Sequence, residues 1–255
     1  MTEQEINNEQ INELINTIEN LSEKIDDIAK INQELLKKVK SLEHSVIPQN
    51  PSTLSKYIDK VFYINLDKRY DRKETIEKEL QQYHLDFERF SAVEIGYYGC
   101  LGCSYSHHNA ITLAKERGYK NILILEDDFT FVISPEEFEK QMDEFFNSNV
   151  DYDVCMFSFN LHSYSSSQYK FLHKVQHAQT TSGYLVNEKY YDKILDNYKN
   201  GLEKLGATWQ DWIYAIDVYW KPLQENDNWY CFKNRIGKQM PGFSDIRKDH
   251  VDFEC

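Results

Sequence analysis

The sequence lacks the patterns that mark several common protein classes. It contains no G-x-x-x-x-G-K-[ST] loop, and its glycines do not form the dinucleotide-binding fingerprint, which argues against a P-loop ATPase or a dinucleotide-binding domain. No apolar run approaches the ~18 residues that indicate a membrane span. The five cysteines are odd in number and follow no regular framework. Reduced thiols in a cytosol-like compartment are therefore favoured over a disulfide scaffold.

Basic residues are also in short supply. The chain has 29 Lys and Arg against 42 Asp and Glu, a formal net charge of −13. This balance argues against general binding to nucleic acid or to anionic membranes, although it leaves room for a local basic pocket that holds a phosphate. The first residues are acidic and polar, unlike a secretory signal. We therefore expect a soluble protein of the cytoplasm with no transmembrane segment.

What the sequence does contain is enough apolar material for a folded core. Hydrophobic residues make up 41% of the 255 residues and aromatic residues 14%. This length allows one large domain or two small ones. Tyrosine is abundant, with 18 copies. Because buried tyrosines need partners for their hydroxyl groups, a polar, hydrogen-bonded cleft is expected.

A heptad repeat runs through the first 47 residues, which contain neither glycine nor proline. β-Branched residues dominate one core position and leucine dominates the other, a combination that favours a parallel two-stranded coiled coil over a trimer. Asn32 falls on the first of these positions, where a buried pair of asparagines fixes the register. The repeat occupies Ile11, Ile18, Ile25, Asn32, Val39 and Val46, and Leu14, Leu21, Ile28, Leu35 and Leu42.

These heptads predict a homo-oligomerisation helix over residues 1–47, and a single helix folded back on its own domain is the alternative. Residues 48–52 contain Pro48 and Pro51 and are predicted to form a short linker. Residues 53–255 then form a separate globular domain.

The central feature of this domain is the stretch Asn121-Ile-Leu-Ile-Leu-Glu-Asp-Asp128. Its apolar run fits a strand buried on both faces, as in a parallel sheet flanked by helices. Three carboxylates follow at the end of this strand, where ligands bind in open α/β sheets. Adjacent carboxylates repel one another, and Mg²⁺ or Mn²⁺ is the simplest partner for them. An acidic turn without a metal is the alternative.

Alternating strands and helices along the domain predict an α/β fold with a mainly parallel sheet. Asp71 is expected to cap a helix that follows the first strand. Residues 96–103 are expected to form a glycine-rich loop before a helix over 104–117, and residues 161–167 a polar loop or lid. A turn is expected over 201–206, a helix over 209–220 and irregular chain over 239–246.

Two further patterns have competing interpretations. Cys100 and Cys103, with His107 or His108, have spacing that allows a zinc site, but the sequence has no second pair at the usual distance. Arg69 and Arg72 follow the first strand, where they could bind a phosphate in bidentate fashion. The alternative for these arginines is that they are solvated residues at the start of a helix.

Three segments together resemble glycosyltransferase family 25, whose members include lipooligosaccharide and collagen galactosyltransferases. They are Val61-Phe-Tyr-Ile-Asn-Leu-Asp-Lys-Arg-Tyr-Asp-Arg72, Gly102-Cys-Ser-Tyr-Ser-His107 and Leu123-Ile-Leu-Glu-Asp-Asp128. The resemblance extends through Thr181-Ser-Gly-Tyr-Leu-Val186, Asp217 and Gln239. It covers about residues 60–247 and leaves out the heptads.

The resemblance implies a GT-A-like, Rossmann-type fold and an inverting transfer of galactose or glucose from a UDP-sugar. It also implies a metal cofactor, Mn²⁺ or Mg²⁺, bound by Asp128 with Glu126 or Asp127 assisting. The positions that match the nucleotide and donor region of the family are Asn65, Arg69, Arg72, Ser106 and His107.

An inverting transfer also needs a base that deprotonates the acceptor hydroxyl. Asp217 matches an acidic position on the acceptor side of the family and is the predicted base, with Asp211 and Asp245 as alternatives. His107 is predicted to be the second catalytic residue. The implied acceptor is a glycan or a hydroxylated protein side chain.

Two other functions remain open at this point. A catalytically inactive glycosyltransferase-like domain would serve as an oligomeric binding or structural protein, which the heptads favour and the intact acidic run opposes. A metal-dependent phosphoester hydrolase is a weaker alternative, because the sequence lacks a D-x-D-x-[TV] motif and a histidine-rich dimetal set.

Overall fold

The computed structural model describes residues 15, 17, 18, 21, 22 and 24 and residues 53–252. The chain divides into two compact units, residues 1–50 and 51–255. In the first unit the described residues are helical and exposed. The remainder of the predicted coiled coil lies outside the described residues, so its existence and its stoichiometry stay predictions.

An eight-stranded sheet forms the centre of the second unit, in the order β2-β1-β3-β8-β5-β9-β7-β6. Two small sheets, β4 with β10 and β11 with β12, complete it. The strands are β1 Lys60–Asn65, β2 Phe87–Ser91, β3 Asn121–Glu126, β4 Phe129–Phe131, β5 Val154–Met156, β6 Asn160–Ser166, β7 Leu172–Gln179, β8 Gly183–Asn187, β9 Trp229–Phe232, β10 Gly237–Gln239, β11 Gly242–Ser244 and β12 Asp249–Val251.

Strand directions confirm the predicted α/β class in its coarse form. β2, β1, β3, β5, β9 and β6 run in one direction, while β8 and β7 run in the other. The sheet is thus mostly parallel in direction but mixed in its pairing. The reversal matters for the site, because β8 starts at the edge of the sheet where β3 ends.

Helices cover both faces of the sheet, which explains the continuous apolar runs of β1 and β3. Alternate residues of β3 enter two separate cores: Leu123 and Leu125 pack on one face, and Ile122 and Ile124 on the other. The helices are α1 Tyr70–Gln82, α2 Gly99–Glu116, α3 Pro135–Asn147, α4 Tyr191–Thr208, α5 Asp211–Tyr214, α6 Ile216–Tyr219 and α7 Lys221–Asn226, with 3₁₀ turns at Thr53–Lys56 and Glu188–Tyr190.

Helix α2 begins five residues before the predicted start at Ser104, so the glycine-rich loop predicted over residues 96–103 is wrong at its end. Gly102 explains the difference, because a Cβ atom there would lie 2.4 Å from the carbonyl oxygen of Val93. The glycine lets the helix pack directly on the segment after β2. It is therefore a packing residue rather than a loop residue.

Several other local predictions are wrong. Residues 161–166 belong to β6, a polar edge strand that needs no apolar face, and only Ser167 of the predicted loop lies outside this strand. Residues 201–206 lie inside α4, and the segment 209–220 is two short helices separated by Ala215, which is extended with ψ 144. Asp71 lies in the first turn of α1 and does not cap it.

The segment over residues 239–246 is not irregular either. It contains the end of β10, which pairs with β4, and β11, which pairs with β12. These short strands lie beside the carboxylate run that follows β3. Among the described residues, no helix is both long and apolar enough to cross a membrane.

Candidate active site

Three strand ends meet at one edge of the main sheet. β1 ends at Asn65 and β3 ends at Glu126, and because they are parallel their last residues lie side by side. β8 is antiparallel to β3, so the residues before it, Thr181 and Ser182, lie at the same edge. Polar groups from distant parts of the chain therefore surround the acidic run, as predicted from its position after a buried strand.

A single guanidinium joins two of these carboxylates. The Nη1 atom of Arg72, on α1, donates hydrogen bonds to Oδ1 of Asp127 at 2.9 Å and to Oδ2 of Asp128 at 2.7 Å. Asn65 donates from Nδ2 to the other oxygen of Asp127 at 2.7 Å. Both carboxylates are buried, with exposures of 7% and 6%. Arg72 offsets the charge that burial would otherwise leave uncompensated.

Asp128 has one satisfied oxygen and one unsatisfied oxygen. Oδ2 also accepts a hydrogen bond from Nε2 of Gln239 at 3.1 Å, while the buried Oδ1 has no hydrogen-bond partner. Burial and, next, the negative charge of Glu126 raise the pKa of Asp128 to about 7. Burial likewise raises the pKa of Asp127, against the lowering effect of Arg72. Arg72 therefore offsets only part of the cost of burying these two carboxylates in their charged form.

Asn65 is held from two sides. Its Oδ1 accepts a hydrogen bond from Nε of Arg89 at 2.8 Å, and its Nδ2 also donates to the backbone carbonyl of Arg69 at 3.0 Å. Arg89 in turn contacts Asp67. Asn65 thus fixes Asp127 and the turn after β1, and its amide has little capacity left for a ligand.

Glu126 belongs to a separate hydrogen-bonded chain. Nε2 of the fully buried His107 lies 3.3 Å from Oε1 of Glu126, and its Nδ1 lies 2.9 Å from the hydroxyl of Tyr184. The hydroxyl of Tyr198 donates to that of Tyr184, and the hydroxyl of Thr181 donates to Glu126. Burial raises the pKa of Glu126, but its interactions with His107 and Thr181 outweigh that effect and lower it.

Ser106 is buried next to His107, but its hydroxyl is already engaged. It donates to the carbonyl of Gly102 at 2.7 Å and accepts from the backbone N–H of Val93 at 2.8 Å. Ser106 therefore holds α2 against the segment after β2.

The hairpin of β11 and β12 contacts the two arginines that follow β1. The carbonyl of Phe243 accepts from Nη2 of Arg72 at 2.9 Å, and Asp245 forms an ion pair with Arg69 at 2.8 Å. Arg69 also pairs with Asp71, and the hydrogen bonds to these two carboxylates raise its pKa. The positive charge of Arg69 is thus compensated by two carboxylates. One of them belongs to Asp245, an alternative candidate for the base, which is therefore engaged in an ion pair.

Two clefts meet at the acidic run. The first has a volume of about 120 Å³ and the second about 680 Å³. Cys103, Glu126 and Gln239 line both. The first is further lined by Lys68, Arg72, Glu94, His107 and Asp128, and the second by Asn160, Thr180, Trp212, Asp217 and Lys221.

Asp217 lies in the larger cleft, away from Arg72. Its Oδ2 accepts a hydrogen bond from the backbone N–H of Thr180 at 3.2 Å. Burial, and to a lesser degree the charge of Glu126, raises its pKa. A carboxylate with a raised pKa is a better proton acceptor at neutral pH than an exposed one. Asp211 lines the same cleft and is half-buried.

An aromatic stack lies near the larger cleft. The ring of Trp209 stacks on Tyr98 at 4.7 Å and on Tyr97 at 5.5 Å between ring centroids. Trp209 has a left-handed backbone with φ 61, which a bulky residue seldom adopts. Trp212, 68% exposed, lines the cleft three residues further on.

The zinc interpretation changes in the structure. Cys103, His107 and Glu126 bring their ligand atoms within 4.8 Å of one another, whereas Cys100 and His108 do not join this group. Burial raises the pKa of the Cys103 thiol well above its ordinary value. The spacing of cysteine and histidine residues in the sequence indicated Cys103 and His107. It did not indicate Glu126, which comes from a different part of the chain.

Some supporting residues escaped the sequence reasoning. Arg89 contacts Asn65 because β1 and β2 are parallel neighbours in the sheet. The order of the strands in the sheet is needed to see this contact, and the sequence does not give that order. Tyr184 and Tyr198 lie in a strand and a helix that look like ordinary core elements. The high tyrosine content predicted a hydrogen-bonded polar region, but it did not say which tyrosines form it.

Comparison with known families confirms the resemblance over part of the chain. Residues 58–96 match the model of glycosyltransferase family 25 (LPS biosynthesis protein). This segment covers β1, the basic turn, α1 and β2, and so includes Asn65, Arg69 and Arg72. The acidic run and α2 lie outside it. No curated protein matches the chain.

Solved structures show distant likenesses. One is a glycosyltransferase involved in the glycosylation of the major capsid of PBCV-1, 13% identical over 74% of this chain and 95% of that chain, with a TM-score of 0.44. Another is A197 from STIV, 13% identical over 75% and 92%, TM-score 0.42. A third is the glycosyltransferase GlyE in Streptococcus pneumoniae TIGR4, 9% identical over 69% and 45%, TM-score 0.42.

Proposed function

We propose that this protein is a metal-dependent, inverting glycosyltransferase of GT-A-like fold, which transfers galactose or glucose from a UDP-sugar to a hydroxyl group. The observation that carries the proposal is the buried, unpartnered Oδ1 of Asp128, which lines the smaller of two clefts that meet at Glu126. The match of residues 58–96 to glycosyltransferase family 25 supports the reaction class.

The donor set at the end of β3 fits a hard divalent cation, Mn²⁺ or Mg²⁺. Asp128 offers an oxygen without a partner, and Glu126 keeps its negative charge because its pKa is lowered. Asp127 is already held by Asn65 and Arg72, so it would assist through its charge. When bound, the cation would stabilise the developing charge on the leaving UDP.

The smaller cleft is the proposed donor side. Arg72 and Lys68 line it and supply positive charge for a diphosphate. Asn65 and Arg69 act indirectly in this proposal, because their polar groups hold the turn that positions Arg72. Ser106 likewise fixes the wall of the cleft through α2.

The larger cleft is the proposed acceptor side. Asp217 would accept the proton of the acceptor hydroxyl while the new bond from the acceptor oxygen to the anomeric carbon forms on the face opposite the breaking bond to UDP. The proton thus passes to Asp217 and the bonding electron pair leaves with UDP. His107 would act by orienting Glu126, since both ring nitrogens already have partners.

A glycan or a hydroxylated protein side chain is the proposed acceptor, and the cytoplasm the proposed location. The proposed coiled coil of residues 1–47 would make a parallel dimer. Replacing Leu21 and Ile25 with aspartate should convert the dimer to a monomer in sedimentation equilibrium. A wild-type protein that is monomeric at micromolar concentration would refute the coiled coil.

The principal test is thermal unfolding of the full chain with UDP-galactose, UDP-glucose or UDP, each with and without Mn²⁺, beside turnover assays that detect released UDP. Ligand at ~100 times its dissociation constant adds about 2.7 kcal/mol, a clear shift. We expect stabilisation that needs both Mn²⁺ and Asp128, and its loss in Asp128→Ala. Absence of a shift with every nucleotide would overturn the proposal.

One observation favours the inactive, oligomeric binding protein as a second candidate. Arg72 already occupies the place between Asp127 and Asp128 where a cation would act, and Arg69 is neutralised by Asp71 and Asp245. This candidate predicts nucleotide binding without turnover. UDP release above the Asp128→Ala background would exclude it.

A further inference from the structure

We propose that Cys103, His107 and Glu126 form a second metal site, for a borderline-soft divalent ion of the Zn²⁺ type, which shares Glu126 with the proposed carboxylate site at Asp128. The three ligand atoms, one each of sulfur, nitrogen and oxygen, lie within 4.8 Å of one another. This mixture of donors is typical of zinc and unlike the all-oxygen sites of Mg²⁺ and Mn²⁺. The proposal does not rest on the glycosyltransferase function.

The geometry is close to that of a tetrahedral site. Nitrogen and oxygen ligands lie ~2.0–2.2 Å from zinc, which places two of them about 3.4 Å apart. Nε2 of His107 and Oε1 of Glu126 are 3.3 Å apart. The remaining separations, at most 4.8 Å, need shifts of about 1 Å to reach zinc–ligand geometry.

The fold explains why the three residues meet. Cys103 and His107 are four residues apart on α2, so both side chains lie on one helical face. Glu126 comes from the end of β3, which packs against this helix. Because His107 is fully buried and Cys103 is half-buried, the thiol and the imidazole are partly shielded from competing water.

Two hydroxyl groups already orient these ligands, as in established zinc sites where outer partners fix the ligating atoms. Tyr184 contacts Nδ1 of His107 at 2.9 Å, which leaves Nε2 to face Glu126. Thr181 donates to Oε1 of Glu126. With zinc on Nε2, the Nδ1–H group would donate to the hydroxyl oxygen of Tyr184, which also accepts a hydrogen bond from Tyr198.

Cys103 and Glu126 line both clefts, so a fourth position at this metal would be open to water or a ligand. Three protein ligands with one open position characterise zinc sites that bind exchangeable groups. Binding would convert the Cys103 thiol to a thiolate and release its proton to solvent, which makes the apparent affinity rise with pH.

Cobalt titration of the full chain tests the site, because Co²⁺ bound to a thiolate in a tetrahedral site gives a charge-transfer band and strong visible absorption. We expect these bands in the wild type and in Cys100→Ser, one helical turn away, and in Asp128→Asn. Cys103→Ser should abolish the charge-transfer band and weaken Zn²⁺ binding at least tenfold. Tyr184→Phe should weaken it by about tenfold.

A measurement on the wild type alone covers the case in which Cys103→Ser does not fold. Zn²⁺ should slow the alkylation of Cys103 at least tenfold while it leaves that of Cys100 unchanged, as read by peptide mass spectrometry. A charge-transfer band that survives in Cys103→Ser, its absence from the wild type, or alkylation of Cys103 that Zn²⁺ does not slow would each overturn the proposal.

Discussion

The Nη1 atom of Arg72 lies 2.7 Å from Oδ2 of Asp128, although 56 residues separate them in the chain. The same nitrogen also contacts Asp127, so one positive group serves two buried acids. A divalent cation at Asp128 would compete with the guanidinium for the same charge. If the proposed cation binds Asp128, Arg72 would have to release this carboxylate, and its guanidinium would then be available for a phosphate.

Arg72→Ala should therefore destabilise the protein strongly when no divalent ion is present. Removing one partner of a buried ion pair costs about 3–5 kcal/mol, because the remaining charges lose their compensation. Urea unfolding in the presence of a chelator measures the loss. Mn²⁺ should restore more stability to this variant than it adds to the wild type, since it replaces the missing charge.

Lys73→Ala is the matched control on the same helix. Lys73 forms only a 4.0 Å pair with Glu77 on a solvent-exposed face, so its removal should cost less than about 1 kcal/mol. Equal losses in the two variants would show that the pairing of Arg72 with the acids contributes little.

Stability should fall as the pH rises through the titration range of Asp128. The pKa of Asp128 is about 7 in the folded protein, raised by burial and by Glu126, and ~3.9 in an unfolded chain. The folded state therefore binds this proton more tightly than the unfolded chain does. The resulting contribution to the free energy of unfolding is at its full value below pH ~4. It decreases by up to about 1.4 kcal/mol per pH unit as the pH rises and is lost by pH ~7.

Asp128→Asn isolates this effect because asparagine does not titrate. The difference in free energy of unfolding, wild type minus variant, should decrease between about pH 4 and pH 7 in urea titrations without metal. The charges of Glu126 and Asp128 influence each other, so the profiles are compared above about pH 5, where Glu126 is ionised in both folded proteins because its pKa is lowered. Parallel pH profiles would contradict the raised pKa.

Gly102→Ala should lower stability by about 1–3 kcal/mol, because the new methyl group would lie 2.4 Å from the carbonyl oxygen of Val93. Gly206→Ala, in α4, is its counterpart. A Cβ at Gly206 meets nothing within 4 Å, so this change should add about 0.5–1 kcal/mol. Thermal or urea unfolding of the two variants tests whether α2 packs closely on the carbonyl of Val93. A Gly102→Ala variant as stable as the wild type would contradict this packing.

Asp217→Asn should lower kcat by about 10²–10⁴-fold if Asp217 is the base, because asparagine cannot take up the proton of the acceptor. Asp211→Asn is the control, since this half-buried carboxylate lines the same cleft. UDP release under saturating donor measures both. A larger loss in the Asp211 variant would assign the base to Asp211 instead.

The parts of the site that the sequence reveals are those that follow from local pattern. The apolar run of β3 fixes where Glu126, Asp127 and Asp128 emerge, because a buried strand must end before consecutive charges can reach water. In the same way, Ser134 and Pro135 form a local pattern typical of a helix start, and in the structure the side chain of Ser134 accepts a hydrogen bond from the backbone N–H of Glu137 at the start of α3.

The sequence alone does not reveal contacts between distant segments, nor where a glycine serves to let a helix pack closely on another segment. The glycines at the start of α2 read as a loop because glycine is a poor helix former, yet tertiary packing on Val93 outweighs that preference. The sequence predicts that the hydroxyl of Ser106 is available for a ligand, whereas in the structure two backbone groups already bind it. Likewise, polar β6 gave no strand pattern because it lies at the edge of the sheet.

The four tryptophans form two optically separable pairs. Trp220 and Trp229 are fully buried, with ring centroids 5.0 Å apart, whereas Trp209 and Trp212 are 52% and 68% exposed. The first pair should emit at short wavelength and resist quenching by acrylamide, while the second emits at long wavelength and is quenched. Because Trp212 lines the larger cleft, long-wavelength fluorescence should give a label-free signal for compounds that bind in that cleft.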